Sequence, residues 1–337
     1  MTAVFSRLQT DGSEVAISIN NLYAGPQPSA CWLIGGGPSL SMLPIAEIAA
    51  SPLPKMTINL AGTRLIRPTF WTSYDPTARF HRSVYLDPSI TKFVHRRRAM
   101  EIVPDSTFKV CECPNVIAFD RQKRGYREFV SPSATGILDW SDSFVQAIDL
   151  LYQLGFRIIY LAGCEMRVRL STQQKKLATT KGVSYDARQS LRTFLRDCKR
   201  SGISAAEFDN LPNLQQYHFD DHKPFAAAVQ TDWHYFRITQ MLRLSRTAMA
   251  TAGLQLVSVT PHSRLNDFFP YVPARKVARF VETFIGSPNH EPVRGLLSRQ
   301  EPRLPNLRTS LQDIPSPTNH RDDSDFVIES EGPIRCH

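Results

Sequence analysis

Residues Cys31–Leu40, CWLIGGGPSL, decide the fold of this 337-residue chain. The apolar first half of the segment is typical of a buried strand, and Gly35, Gly36 and Gly37 allow a tight turn because they have no Cβ. Ser39 is suited to cap a helix that follows the turn. Free N–H groups at such a strand–turn–helix junction attract anions, usually phosphates. The segment therefore predicts a phosphate or nucleotide site, although a tight turn without a ligand has the same pattern.

The spacing of the glycines limits the kind of nucleotide that we expect. The dinucleotide-binding pattern Gly-x-Gly-x-x-Gly requires a glycine where this chain has Leu40. The same pattern requires an acidic residue at the end of the second strand, where this chain has Asn59. A P-loop would need Gly-Lys followed by Ser or Thr, which is missing. A hydride-transfer enzyme and a P-loop kinase are therefore disfavoured.

The composition is that of a globular protein, with 42% hydrophobic and 21% charged residues. No apolar run reaches the roughly 20 residues that span a bilayer, and the first residues lack the apolar core of a signal peptide. Six cysteines are too few for a disulfide scaffold in a chain of this length. We expect reduced cysteines, no transmembrane segment and a cytoplasmic location. The net charge of +9 favours phosphate-bearing or polyanionic partners.

Apolar runs alternate with helical patterns, which predicts an α/β Rossmann-like domain over residues 30–285. We expect an open, mostly parallel sheet with helices on both faces and a basic, lid-like helical insertion at about residues 164–230. Residues 1–29 are a lead-in, and the proline-rich residues 286–337 are expected to be a disordered tail. The predicted strands are residues 30–35, 55–60, 70–74, 108–112, 157–162 and 254–259. The predicted helices are residues 40–50, 137–154, 185–200 and 235–252.

Four segments follow one another in an order that is found in a known group of enzymes. They are IGGGPSL at 34–40, Asn59 with YDP at 74–76, ATG at 134–136 with LGFRIIYLAGCE at 154–165, and LVSVTPHS at 256–263. Over roughly residues 30–275 the chain thereby resembles the bacterial Rossmann-type sialyltransferases. It also resembles the related motility-accessory-factor glycosyltransferases and hydroxymethylpterin diphosphokinases. The resemblance implies a CMP- or UDP-linked sugar as a substrate, without specifying the sugar, and no tightly bound cofactor.

The resemblance also implies roles for individual residues. In the sialyltransferases the glycine loop and the polar residues at strand ends hold the nucleotide, and a histidine acts as the general base. His234 matches that base, its imidazole can take a proton near neutral pH, and Asp232 could orient the ring. Thr135 and Gly136 match the start of a helix that faces the nucleotide. The nucleotide contacts implied in this way are Gly35, Gly36, Gly37, Ser39, Asn59, Asp75, Thr135, Gly136 and Glu165.

Basic residues indicate how a leaving phosphate and an anionic acceptor could be held. The loop amides and one or more of four basic residues could stabilise the leaving phosphate without a metal ion; these residues are Arg167, Arg169, Lys175 and Lys176. Arg188, Arg192 and Arg196 recur at intervals of four residues, which puts them on one stripe of a predicted helix. The stripe favours an anionic acceptor, including nucleic acid. His262 follows the last strand, at the edge where open α/β sheets bind ligands, and is a further possible nucleotide contact.

Three functions are consistent with these patterns. The leading hypothesis is a metal-independent glycosyltransferase-like enzyme. The alternative is a diphosphokinase-type enzyme that transfers a pyrophosphoryl group from ATP, with Mg²⁺ held by carboxylates. Those carboxylates would be Asp75, Glu165, Asp220 and Asp221, the last two followed by His222. The third hypothesis is a non-catalytic module that binds nucleotides or nucleic acid.

Overall fold

The computed structural model describes residues 4–18, 29–62, 65–211 and 224–285. Within these ranges the strands are β1 (Phe5–Leu8), β2 (Glu14–Ala16), β3 (Ser29–Ile34), β4 (Lys55–Ile58), β5 (Phe70–Thr72), β6 (Thr91–His95), β7 (Val116–Phe119), β8 (Arg121–Gln122), β9 (Ile137–Leu138), β10 (Phe156–Ala162) and β11 (Gln255–Ser258). The helices are α1 (Ile45–Ala50), α2 (Arg82–Leu86), α3 (Arg96–Ala99), α4 (Ser143–Gln153), α5 (Thr172–Thr180), α6 (Leu191–Arg200), α7 (Ala205–Asp209), α8 (Phe225–Leu244), α9 (Arg246–Thr251) and α10 (Ala274–Ile285).

Nine of these strands form one sheet in the order β11-β10-β3-β4-β5-β6-β7-β1-β2. All neighbouring strands from β11 to β7 are parallel, whereas β1 is antiparallel to both β7 and β2. From β3 the chain moves outward to β7 and then returns to the other side of β3 with β10. The predicted α/β Rossmann-like fold is thereby confirmed. The reversal between β3 and β10 is the point at which open α/β sheets bind ligands.

The central strand β3 is apolar on both faces because helices cover both. Leu33 packs in the cluster of side chains that includes Ile148 of α4. Trp32 and Ile34 point to the opposite face, where they pack with Ile48 of α1 and Val277 of α10. A continuous apolar run of this kind is typical of a parallel strand buried between two layers of helices.

The strand predicted at residues 108–112 is wrong. This segment contains a 3-10 turn, Val110–Glu112, in which the Glu112 carboxylate accepts the N–H of Lys109 at 2.7 Å. Val110 and Cys111 are buried beside the sheet and so have the apolar character of a strand without its hydrogen bonds. The strands at this end of the sheet are β6, β7, β1 and β2, and none of the four was predicted.

The helix predicted from residue 137 begins only at Ser143. Residues 137–138 are β9, which pairs in parallel with β8. Asp142 is the N-cap of α4, since its Oδ1 atom accepts the N–H of Val145 at 2.8 Å. Thr135 and Gly136 therefore precede a short strand, and the prediction that they open a helix is wrong.

The other predicted helices are present with different ends. Residues 40–50 divide into a 3-10 helix, Pro38–Met42, and α1. The helix predicted at 185–200 is α6, which starts at Leu191. The helix predicted at 235–252 starts earlier, as α8, and is separated from α9 at Ser245. His234 consequently lies within a helix and not before one.

In the part of the chain that the structure describes, no helix is both long and apolar enough to cross a bilayer. Five cysteines lie in the described ranges, and all five are buried and outside any disulfide bond. Burial raises the pKa of the Cys31 thiol well above its ordinary value, because the thiolate would lose its hydration.

The predicted basic insertion has a small core of its own between β10 and α8. Val168, Leu191, Phe194 and Phe208 pack there with Phe225 at the start of α8. Phe208 and Phe225 are stacked, with ring centroids 4.4 Å apart. This cluster, which is separate from those that pack on the sheet, holds α5, α6 and α7 together as a layer beside the sheet.

One buried carboxylate connects this layer to the sheet. Asp232 of α8 is inaccessible to solvent and accepts the N–H groups of Val168 at 2.9 Å and Leu191 at 2.7 Å. It also pairs with Arg264 at 3.1 Å, and Arg264 in turn donates to the carbonyl of Met166 at 2.8 Å. The carboxylate therefore joins α8, the loop after β10, the start of α6 and the turn after β11. It belongs to the framework and does not orient His234.

We expect Asp232→Ala to reduce the free energy of unfolding by about 3–5 kcal/mol, because it leaves the Arg264 guanidinium buried without its counter-charge. Asp197→Ala is the matched control. Asp197 is exposed and lies 3.6 Å from both Arg196 and Arg200, so its loss should cost no more than about 1 kcal/mol. Urea unfolding measures both values, and equal losses in the two variants would contradict the framework role of Asp232.

Candidate functional site

A cleft of about 580 Å³ opens at the carboxyl ends of β3, β4, β5 and β10. Its walls are the loops after these strands, the N-terminus of α4 and one face of α8. Of the residues predicted from the sequence, the cleft brings together Gly35, Gly36, Gly37, Asn59, Asp75, Glu165, Arg167 and His234. Parallel strands end at the same edge of a sheet, which is why residues so far apart in the chain meet here.

The remaining predicted residues lie elsewhere. Ser39 is buried under the glycine loop, and His262 is exposed outside the cleft. Gly136 lies against the backbone of Asp120, next to Thr135. Arg192 and Arg196 line a second groove, and Arg188 lies 3.3 Å from Asp186. Asp220, Asp221 and His222 fall outside the described residues.

The glycine loop after β3 is in direct backbone contact with the loop after β10. The N–H of Gly35 donates to the carbonyl of Ala162 at 2.7 Å, and the N–H of Gly37 donates to the carbonyl of Gly163 at 2.8 Å. A Cβ placed on Gly35 would lie 2.6 Å from the Gly163 oxygen, and a Cβ on Gly163 would lie 2.5 Å from the Gly35 oxygen. Glycine is therefore required at both positions by the other loop.

The Glu165 carboxylate lies over the glycine loop. Its Oε1 atom accepts the N–H of Ser39 at 2.5 Å, while Oε2 is buried and has no hydrogen-bond partner among the described residues. A Cβ on Gly37 would lie only 1.4 Å from Oε2. The absent side chain at Gly37 thus makes room for a carboxylate of the protein itself.

Most of the loop amides are consequently occupied. Gly35, Gly37 and Ser39 donate as described above, the N–H of Leu40 donates to the carbonyl of Gly37, and Pro38 has no N–H. Within the described ranges, Gly36 has the one loop amide from residue 35 to residue 40 without an acceptor. The expectation of a row of free amides is wrong, and an anion in this cleft needs other donors besides Gly36.

Asn59 presents such a donor. Its Oδ1 atom accepts the hydroxyl protons of Ser73 at 2.6 Å and Ser143 at 2.9 Å. Each serine oxygen also accepts a backbone N–H, from Asp75 and Tyr74 respectively, so its one proton is available for Asn59. This arrangement fixes the orientation of the amide. The Nδ2 group, without an acceptor among the described residues, is therefore the group that Asn59 offers to a ligand.

His234 and Asp142 form a pair across the cleft. The Nε2 atom of His234 lies 2.9 Å from Oδ2 of Asp142, whose other oxygen is held by the helix that it caps. An ionised carboxylate only accepts hydrogen bonds, so the proton of the neutral imidazole belongs on Nε2 and Nδ1 is left with a lone pair. The His234 side chain is 38% exposed. The pair thereby holds an accessible base in a fixed orientation.

Arg167 supplies positive charge to the same cleft. Within the described residues its half-buried guanidinium makes no ion pair, and its Nε atom is buried without an acceptor. Burial lowers the pKa of Arg167, and the neighbouring Arg264 lowers it further by charge repulsion. An anion bound in the cleft would favour the charged guanidinium and so counteract both effects. Arg79, by contrast, already lies 3.4 Å from Asp75.

Backbone strain is concentrated around the cleft. Asn59, Ser141 and Met166 have φ values of 54°, 51° and 50°, in the left-handed region that residues other than glycine rarely adopt. All three line the cleft, and they are half of the non-glycine residues with positive φ in the described ranges. Such strain persists where the surrounding structure imposes it, frequently at functional sites.

No protein-family model, curated protein or solved structure matches this chain. The similarity to the sialyltransferases and their relatives therefore stays a prediction from the sequence motifs. As for a metal site, the described residues contain no group of three or more His, Cys, Asp or Glu side chains that could hold an ion. Of the carboxylates that the diphosphokinase hypothesis assigns to Mg²⁺, Asp75 has Arg79 as a partner and Glu165 holds Ser39.

Gly37→Ala is expected to destabilise the protein by about 1–3 kcal/mol, because the new Cβ meets Glu165 and the carbonyl of Gly163 and forces the loop apart. Gly125→Ala is the control, since a Cβ there meets nothing within 4 Å and its φ is −79°. Replacing Glu165 by alanine in the Gly37→Ala background should recover part of the loss. Equal unfolding energies for the two glycine variants would contradict the contact.

Proposed function

We propose that this chain is a metal-independent, glycosyltransferase-like enzyme that uses a CMP- or UDP-linked sugar as its donor. The observation that carries the proposal is the His234–Asp142 pair, 2.9 Å apart, at the ligand-binding edge of a Rossmann-like sheet. The resemblance of the sequence motifs to the sialyltransferases supplies the reaction class.

In the proposed reaction, Nδ1 of His234 takes the proton of an acceptor hydroxyl as its oxygen forms a bond to the anomeric carbon of the donor. The bond between that carbon and the phosphate oxygen breaks, and its electron pair stays on the phosphate. The imidazolium is stabilised by the Asp142 carboxylate, which accepts a hydrogen bond from its Nε2–H group. A positioned base of this kind typically contributes about 10²–10⁴ in rate.

The leaving phosphate gains negative charge as the bond breaks and needs donors that are already in place. Three of the donors in the cleft come from the ends of three adjacent strands: the guanidinium of Arg167 after β10, the N–H of Gly36 after β3 and the Nδ2 group of Asn59 after β4. Glu165 already holds the amide of Ser39 and repels a second anion there. We therefore place the phosphate on the Asn59 and Arg167 side of the loop.

Thermal melting with CMP, UDP, GDP and ATP, each with and without Mg²⁺, tests the donor. We expect CMP or UDP to stabilise the protein without Mg²⁺, by about 2.7 kcal/mol at one hundred times the dissociation constant. Asn59→Asp should weaken that binding at least about tenfold, since it replaces the Nδ2 donor by a second acceptor and adds negative charge.

The same experiment contains the outcomes that would refute the proposal. Stabilisation by ATP alone, and only with Mg²⁺, would favour the diphosphokinase hypothesis. The absence of any response to the four nucleotides would reject a nucleotide-dependent enzyme.

The base is tested by the same substitution at two histidines. The assay uses the sugar donor linked to whichever nucleotide, CMP or UDP, stabilises the protein. We expect His234→Asn to reduce the turnover number for sugar transfer by about 10²–10⁴, while nucleotide binding persists. His262→Asn is the control, because His262 lies outside the cleft and asparagine tolerates its φ of 56°. Turnover near the wild-type rate in His234→Asn would remove this residue from the mechanism.

A further inference from the structure

A second groove, of about 780 Å³, lies between α6 and α8. Four cationic side chains line it, Arg192, Arg196, Lys199 and Arg200, and none of the residues that line it is acidic. The four residues are exposed on one side of α6. Asp197 lies 3.6 Å from both Arg196 and Arg200, so one carboxylate is shared by two guanidinium groups and the groove keeps a positive charge.

An aromatic side chain forms the opposite wall of this groove. Trp233 of α8 is partly exposed, and the guanidinium carbon of Arg192 lies 5.3 Å from the centroid of its indole ring. Phe236 packs against the indole of Trp233, with the two ring centroids 5.7 Å apart and the ring planes 10° from parallel. The indole is thus held in place by Phe236 and bordered by a planar cation.

We propose that the groove binds single-stranded nucleic acid, with phosphates on the cations of α6 and a base stacked at Trp233. Proteins that bind single strands without sequence preference combine a basic groove with aromatic surfaces for the bases. Arginine contributes to such stacking through its planar guanidinium group. The inference does not depend on the proposed function, since it uses none of the groups assigned to the transfer reaction.

The groove and the cleft meet at one residue. Gln230 lines both, because it precedes Trp233 by three residues and His234 by four and so lies on the helix ridge between them. A single-stranded nucleic acid that follows the groove past Gln230 would therefore reach the edge of the cleft.

Fluorescence anisotropy with labelled 12-nucleotide oligo-dT and oligo-U, measured at several salt concentrations without added nucleotide, tests this inference. The double variant Arg196→Gln and Lys199→Gln should lower the slope of log K against log salt concentration by about 1.4, or 0.7 for each lost phosphate contact. The control is Lys276→Gln with Arg279→Gln. It removes two exposed cations from α10, away from the groove, and should leave the slope unchanged.

The aromatic wall has a different expected signature. Trp233→Leu should weaken oligonucleotide binding about 5- to 150-fold, the range for one stacked base, without changing the salt slope. Trp233→Phe retains an aromatic face and should retain most of the affinity, which separates stacking from any loss of folding in the leucine variant.

Three results would overturn the inference. The first is an equal salt slope for the groove variant and its α10 control. The second is oligonucleotide affinity that survives Trp233→Leu in a folded protein. The third is binding of a sulfated oligosaccharide in the absence of any oligonucleotide binding, which would assign the groove to saccharide chains. All three leave the donor and turnover experiments on the cleft unaffected.

Discussion

The contact between two loop backbones, Gly35 against Gly163, determines the geometry of the ligand-binding edge of the sheet. At each of these positions a carbonyl oxygen of the other loop lies too close to leave room for a Cβ. The contact aligns the carboxyl ends of β3 and β10 and positions Glu165 over the turn. There the Glu165 carboxylate accepts the N–H of Ser39, which would otherwise be available to a bound anion. Space for a ligand is left farther out, between Asn59, Arg167 and His234.

The fold was predictable where apolar runs are long and bounded by glycine or proline. The strands β3, β4, β5, β10 and β11 follow from such runs, and their parallel arrangement follows from the alternation with helices. The prediction of strands failed where the apolar runs are short. Val110 and Cys111 are as apolar as strand residues, but they are buried in a 3-10 turn. Burial alone does not distinguish a strand from a buried turn, and hydrogen bonding to neighbouring strands is invisible in a local pattern.

The site was predictable to the extent that it depends on strand ends. Asn59 and Asp75 were predicted from the family resemblance and Arg167 from its charge, and all three line the cleft because they follow strands of one parallel sheet. Asp142 was missed although it caps a helix, since its partner His234 lies 92 residues away in the chain. The occupation of the loop amides was missed for the same reason, because Glu165 lies 126 residues from Ser39. The signal that could have suggested Asp142 is an N-cap aspartate near the carboxyl edge of the sheet.

Three successive residues of α8 face three surroundings: Asp232 the buried framework, Trp233 the basic groove and His234 the cleft. Successive side chains of a helix point about 100° apart around its axis. The three surroundings are therefore matched to three consecutive positions of α8, and this match depends on the number of residues in the helix. Substitutions of exposed residues on this helix would leave the match intact. An insertion or deletion next to Asp232, by contrast, would rotate one surface by about 100° away from the others.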